Sequence, residues 1–257
     1  MVANLLYRLY ERRLSAGLPR EALPNHVAVI LDGNRRYARQ MGFDTAAGHR
    51  RGAEKIHELL DWCRDLEIPY VTLWLLSTAN MKRDPDELRD LVEIIVETLD
   101  VLADQPEHDQ QGMRITGMGA LDTLPDPLHQ AIKRAEERTA HRNGIRVQIA
   151  VGYGGRQEIA DALRGLLEEH HAQGATLSDV IDELSPEVIA QHLYTTGMPD
   201  PDLIIRTSGE VRLSGFLLWQ SANSEFYFCE AHWPAFRKID FLRALRDFTT
   251  RERRFGR

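Results

Sequence analysis

Cysteine is almost missing from this 257-residue chain, which has only Cys63 and Cys229. Two thiols with no metal-ligand spacing exclude a disulfide framework and read as small buried hydrophobes in a reduced, intracellular setting. An excess of cationic charge is missing too. The formal net charge is −7, which argues against nonspecific nucleic-acid binding and leaves no nucleic acid among the expected partners. No apolar run is long enough to span a bilayer. Arg8, Glu11, Arg12, Arg13 and Arg20 interrupt the N-terminus where a secretory signal would need an apolar core. The location expected from this is cytoplasmic. Repeats, low-complexity stretches and long linkers are also absent. What remains is a chain with 43% apolar residues, able to bury an ordinary core and long enough for one large α/β domain or two small ones.

The N-terminal segment carries a stripe. Val2, Leu5, Leu6 and Leu9 stand at i, i+3, i+4 and i+7, with arginines on the other face. Residues 1–23 therefore read as an amphipathic helical extension of a single domain spanning 24–257. Such a stripe serves contact with a membrane surface or packing on its own domain.

Beyond it, apolar strand-like runs alternate with helix-period segments. Strands are expected at 26–31, 70–76, 113–118, 145–152, 203–206 and 225–228. Helices are expected at about 34–41, 50–66, 86–103, 126–142, 156–171, 185–194 and 238–252. Alternation at this spacing predicts an α/β fold with a mostly parallel sheet covered on both faces. In such folds ligands bind beyond the carboxyl ends of the strands. That rule gathers Asp32, the segment Ser77 to Arg83, and the segment Arg206 to Ser214 into one place. The helix from Pro85 to about Ala103 is apolar over a wide arc, which fits either buried core or the wall of an apolar cavity.

The most telling stretch is HVAVILDGNRRYARQMG, residues 26–42. An apolar strand ends at Asp32, followed by Gly33, Asn34, Arg35 and Arg36 as the pattern turns helical. A strand-end carboxylate can ligate Mg²⁺ on a phosphate. A glycine lets backbone approach a ligand, a helix N-terminus attracts anions, and guanidinium forks match phosphate oxygens. A second cluster, LLSTANMKRDPDEL, places Ser77, Asn80 and Arg83 at a strand end, and Asp84-Pro85 reads as a helix cap and N1. A third, DLIIRTSGEVRLSGFLLW, offers Arg206, Arg212 and Ser214 around a glycine turn and suits a second multi-oxygen anion. His49 opens the helix expected at 50–66.

Together these clusters resemble the cis-prenyltransferases, the (Z)-isoprenyl diphosphate synthases that include undecaprenyl diphosphate synthase. The likeness rests on HVAVILDGNRRYA, GHRRGAEKI, LLSTANMKRDPDEL, VGYGGRQEI, DLIIRTSGEVRLSGFLLWQSANSEFYF and the closing RRFG, in that order. The resemblance implies a central six-stranded parallel sheet flanked by helices, not the all-helical trans-prenyltransferase fold, and a homodimer. It implies transfer of an allylic diphosphate onto isopentenyl diphosphate. Asp32 would hold Mg²⁺ on the allylic diphosphate. Gly33, Asn34, Arg35, Arg36, Tyr37, His49, Met81 and Arg83 would bind or shape that primer site. Ser77 and Asn80 would lie between the substrates. Arg206, Arg212 and Ser214 would bind the isopentenyl diphosphate. Arg254 and Gly256 would reach the partner's isopentenyl site, and Glu225 falls where the family has a second acidic metal-site residue. Asn80 matches a position treated as the proton acceptor. An amide is a very poor base, so a diphosphate oxygen oriented by Asn80 suits the step better.

Departures from the family pattern sharpen the expectation. Tyr37 and Met81 replace tryptophans, Thr45 replaces an arginine of the long-chain enzymes, and Ala79 replaces a common glutamate. Leu75 stands where long-chain enzymes have a small residue facing the tunnel for the growing tail. Leucine there, with the wording of LLST, YTTGMPDPDL and EAHWPAF, resembles the actinobacterial short-chain (Z,E)-farnesyl diphosphate synthases and implies a product near C15. The alternatives are a long-chain C50 or C55 synthase, an irregular coupling or cyclising relative, and a noncatalytic partner subunit. A haloacid-dehalogenase-type phosphatase would need a second acid two positions after Asp32, where Asn34 stands.

Overall fold

A computed structural model describes residues 2–104 and 111–251. Six strands, β1 (His26–Ile30), β2 (Tyr70–Ser77), β3 (Arg114–Met118), β4 (Arg146–Tyr153), β5 (Leu203–Arg206) and β6 (Glu225–Phe228), form one sheet in the order β3-β4-β2-β1-β5-β6. Every neighbouring pair is parallel. β1 is buried at all five positions, as expected of a strand covered on both faces. Its side chains alternate between two cores. Val27 and Val29 face the larger one, with Val71 and Leu73 from β2. Ala28 and Ile30 face a smaller one built with Ile204, Tyr153, Phe216 and Leu217.

The helices are α1 (Val2–Ala16), α2 (Asn34–Met41), α3 (Thr45–Asp65), α4 (Pro85–Asp104), α5 (Asp126–Thr139), α6 (Gly155–Ala172), α7 (Leu177–Glu183), α8 (Pro186–Ala190) and α9 (Lys238–Thr250). Three differ from the sequence expectation. α3 starts at Thr45, because the Asp44 carboxylate accepts from the Ala47 amide at 2.6 Å and caps it. His49 therefore lies inside the helix instead of opening it. α7 was not expected, although Thr176 and Asp179 form a capping box that marks its start. α8 stops at Ala190, four residues short of the expected end.

α1 packs along α9. The Arg237 guanidinium lies 5.9 Å from the Tyr7 ring centre and that of Arg243 5.5 Å from Tyr10. Leu14 and Leu18 join the main core, while Leu9 is exposed. The side chains of Val2, Leu5 and Leu6 lie outside the described part of the structure. None of the described helices is long and apolar enough to cross a membrane.

The sheet order creates the site. β1 sits between β2 and β5, so the chain leaves it to one side and returns on the other. A crevice opens at such a switch point beyond the carboxyl ends of the strands. Asp32, Ser77 and Arg206 all stand at that end.

Candidate active site

Asp32 follows β1 in a loop held by backbone contacts. Its amide donates to the Thr207 hydroxyl at 3.0 Å, and its carbonyl accepts from that hydroxyl at 2.7 Å and from the Trp233 amide at 3.0 Å. Gly33 then turns the chain with φ +106°. A side chain there would be strained, and its Cβ would lie 2.9 Å from His232 Nδ1. α2 begins at once and lies tightly on α3. A Cβ on Gly52 would fall 2.2 Å from Asn34 Oδ1, so glycine at 52 is what lets the start of α2 sit so close.

The Asp32 carboxylate meets two guanidinium groups. Arg206 Nη2 donates to Oδ2 at 2.7 Å and Arg36 Nη2 to Oδ1 at 3.3 Å. Arg206 is buried. It also donates to Ser214 Oγ at 2.7 Å and to the Arg212 carbonyl, which ties the third sequence cluster to the first. Glu210 bridges the other two arginines of this group, Arg36 at 3.2 Å and Arg212 at 3.1 Å. On the opposite side Glu87 does the same for Arg83 at 2.9 Å and Arg35 at 3.7 Å. Asp84, by contrast, caps α4 by accepting from the Asp86 and Glu87 amides at 3.0 and 3.4 Å. Two cationic clusters thus flank one carboxylate, each spaced by a glutamate that reduces repulsion between the guanidinium groups.

His49 lines the same cavity, with Nε2 buried and unpartnered. Burial, reinforced by the positive charge of Arg83, lowers its pKa to about 4, so the ring is neutral at pH 7. Arg83's own pKa is lowered, by burial first and then by Arg35. Ser77 Oγ accepts from the Asn80 amide at 3.1 Å, fixing the turn that carries Asn80 at the cavity mouth.

This polar mouth opens into a single cavity of about 550 Å³, mouth included, whose inner wall is apolar, with Leu75, Trp74, Ile56, Leu91, Ile94 and Ile95. Leu75 reaches it because β2 bulges there. Trp74 pairs with Ala150 and Leu76 with Val151, leaving Leu75 as the extra residue. Such a bulge re-aims a side chain, and Trp74 and Leu75, adjacent in sequence, both face the cavity. Trp74 is braced from behind by Phe216, stacked at 5.0 Å.

A buried network supports the third cluster. Glu158, fully buried, accepts from Tyr153 Oη at 2.6 Å, Gln220 Nε2 at 3.0 Å and the Tyr194 amide at 3.1 Å. The Tyr153 hydroxyl in turn accepts from the Leu217 amide at 3.1 Å, and the Gly155 amide donates to the Gly215 carbonyl at 2.8 Å. Ser214, Gly215 and Leu217 all have positive φ, so the Ser214 loop is a strained turn held from below. Burial raises the pKa of Glu158, against the lowering effect of its three donors.

Of the residues singled out by sequence, Asp32, Gly33, Asn34, Arg35, Arg36, His49, Leu75, Ser77, Asn80, Arg83, Arg206 and Ser214 line this one cavity. Arg212 borders it through Glu210 and its carbonyl. Tyr37 and Met81 do not line it, and Met81 packs on the main core instead. Glu225 requires a correction. It starts β6 beside Leu203, level with the early residues of β1, because β5 and β6 run parallel. Three residues of strand, about 10 Å at 3.3 Å each, and the turn after Ile30 separate that level from Asp32. Glu225 pairs with Arg251 at 2.5 Å and makes no metal site with Asp32 of its own chain. Arg254 and Gly256 lie outside the described residues. Sequence reading missed the roles of Glu87, Glu210 and Glu158. Only the VGYGGRQEI motif hinted at Glu158.

The fit to a divalent cation can be judged from the donors. Among the described residues no group of three or more acidic, histidine or cysteine side chains gathers, so there is no all-protein cage. Mg²⁺ commonly takes one or two carboxylates and completes its shell with water and substrate phosphate. Asp32, half-buried between the guanidinium groups of Arg206 and Arg36, fits that mode.

Residues 30–256 match the model of the undecaprenyl diphosphate synthase family. The chain belongs to that family. It is 59% identical over 252 residues to the (2Z,6E)-farnesyl diphosphate synthase of Thermobifida fusca, covering 98% of this chain and 97% of that protein. It is 51% identical over 255 residues to the short-chain Z-isoprenyl diphosphate synthase of Mycobacterium bovis, covering 98% and 96%. The crystal structure of lavandulyl diphosphate synthase from Lavandula x intermedia in complex with dimethylallyl diphosphate superposes with a TM-score of 0.85. It shares 34% identity over 92% of this chain and 100% of that one. The parallel six-stranded sheet expected from the sequence is therefore a fold shared with these prenyltransferases.

Proposed function

We propose that this chain joins a short allylic diphosphate, geranyl diphosphate foremost, to isopentenyl diphosphate and releases a Z-prenyl diphosphate near C15. The observation that carries the reading is the pairing of two arginine clusters around Asp32 with a cavity whose inner wall is apolar. Counting each carbon with its hydrogens at about the 30 Å³ a water occupies, a C15 tail needs roughly 450 Å³ and a C55 tail roughly 1,650 Å³. The whole cavity, polar mouth included, holds about 550 Å³, about a third of what the second needs. The names of the Thermobifida and Mycobacterium relatives support the same product class.

The chemistry follows from the residues. Arg35 and Arg83, with Asn34 and neutral His49, hold the allylic diphosphate, and Arg206, Arg212 and Ser214 hold the isopentenyl diphosphate. Asp32 would carry Mg²⁺, whose charge, when bound, steadies the departing diphosphate. The guanidinium groups do the same from the protein side. As the allylic C–O bond breaks, the double bond of isopentenyl diphosphate supplies the electron pair for the new C–C bond. A proton then leaves C2 for a diphosphate oxygen, and its C–H pair forms the Z double bond. Asn80 orients that oxygen through hydrogen bonds.

The reading carries a homodimer, with Arg254 and Gly256 reaching the partner's site. It also carries one catalytic unit at 24–257 with the 1–23 extension docked on it, and a cytoplasmic setting. The docking of α1 on α9 favours packing over membrane contact as the main use of that stripe. The test is labelled isopentenyl diphosphate with C10, C15 and C20 primers, with products sized after dephosphorylation. A C15 product from the C10 primer is expected, and C50 or longer chains would refute the short-chain reading.

A further inference from the structure

α4 supplies one wall of the cavity in a single row. Leu91, Ile94, Ile95 and Thr98 line it, which is the i, i+3, i+4, i+7 spacing of one helix face. The next member of the row is Leu102. It is fully buried in the main core with Leu99 and does not reach the cavity. The hollow therefore closes at the turn of Thr98. That turn is far from the mouth. Glu87, whose carboxylate grips Arg35 and Arg83, precedes Thr98 by eleven residues, about 16 Å of helix at 1.5 Å per residue.

Thr98 is an unusual floor for a greasy hollow. Its hydroxyl donates to the Ile94 carbonyl one turn back at 2.6 Å and is buried. With that polar group satisfied inside the helix, the γ-methyl is what the side chain offers to a hydrocarbon tail. A β-branched side chain on a helix is also stiff about χ1, so the methyl does not swing aside as a flexible chain end would. Leu75 presses on the same hollow from the bulge of β2.

We propose that Thr98 is the floor of the tail cavity and a specificity-determining residue, so that product length is set at two points, Leu75 on the β2 wall and Thr98 at the end of the α4 row. This inference rests on the short-chain reading above. The tail's last isoprene unit meets the Thr98 methyl, and one more round of condensation would drive it into Leu102.

The test is product sizing for Thr98→Ala, Thr98→Val and Thr98→Leu beside wild type and Leu75→Ala, with geranyl diphosphate and labelled isopentenyl diphosphate. Thermal melts establish that each variant is folded. Thr98→Ala should give at least a tenfold rise in the fraction of product of C20 or longer. Thr98→Val keeps the shape and loses only the hydroxyl, so its product should match wild type. Thr98→Leu raises the floor and should lower kcat/KM for geranyl diphosphate at least tenfold relative to dimethylallyl diphosphate, leaving KM for isopentenyl diphosphate unchanged. If Thr98→Ala does not fold, the Thr98→Leu primer preference decides. Unchanged products and preferences in all three Thr98 variants, with lengthening in Leu75→Ala, would overturn the floor and leave the short-chain reading standing. Long chains from wild type would instead overturn that reading, and the floor with it.

Discussion

Replacing Asp32 by alanine separates the chemistry of the site from its stability. The carboxylate contributes one buried-side contact, to Arg206 Nη2 at 2.7 Å, and one looser contact, to Arg36 at 3.3 Å. Removing one partner of a fully buried ion pair costs about 3–5 kcal/mol. Here the Asp32 side chain is 28% exposed, and Arg206 keeps Ser214 Oγ and the Arg212 carbonyl. The expected loss is therefore smaller, about 1–3 kcal/mol. For a chain of this size each kcal/mol moves Tm by about 2–4 °C, so the variant should melt several degrees lower and remain folded at 25 °C. Turnover should fall much further. Loss of the metal-holding carboxylate and of the alignment of two arginines removes stabilisation of the departing diphosphate, and a drop of about 10³-fold or more, roughly 4 kcal/mol, is expected. Steady-state turnover, a Mg²⁺ titration and a thermal melt measure both quantities. A rate within tenfold of wild type in a folded Asp32→Ala protein would refute the assignment of the metal and the leaving group to this carboxylate.

Other outcomes follow from the same geometry. Leu75→Ala removes three carbons from the β2 bulge and should lengthen the product beyond C15, read by product sizing; an unchanged product would separate the bulge from length control. Glu158→Gln puts an amide among three donors, so the Ser214 loop should loosen, and KM for isopentenyl diphosphate should rise about tenfold with KM for the allylic primer little changed. His49 binds its proton less readily folded (pKa about 4) than unfolded. The unfolded state therefore holds more protons between about pH 6.5 and 4, and the native protein should lose stability as pH falls through that window. Denaturant titrations of wild type and His49→Gln across pH 4–7 should show a steeper pH dependence in wild type, and parallel curves would remove the buried neutral imidazole.

The legible parts of this protein were those written in local pattern. The six strands were visible as apolar runs, and five of the expected helices lie within a few residues of their observed bounds. Asp84 was readable as a cap because capping is a contact across two or three residues. The start of α3 was not, since Asp44 lies outside the apolar periodicity that marked the helix. Glu87 stands three residues after the Asp84 cap, where a capping box would use it, but its side chain turns to Arg83 and Arg35. Glu210 likewise turns to Arg36 and Arg212. In both cases the partner guanidinium comes from a different element, and no spacing along the chain encodes that meeting.

What the amino-acid order determined alone was which residues end each strand, because hydrophobic alternation and helix starts are properties of neighbours in the chain. Parallel sheets place strand ends at one edge, so Asp32, Asn80 and Arg206 could be gathered without coordinates. Only the tertiary structure decided what depends on register and on distance through space. A one-residue bulge turns Leu75 into the cavity, a helix turn closes that cavity at Thr98, and the parallel pairing of β5 with β6 carries Glu225 to the far end of the sheet.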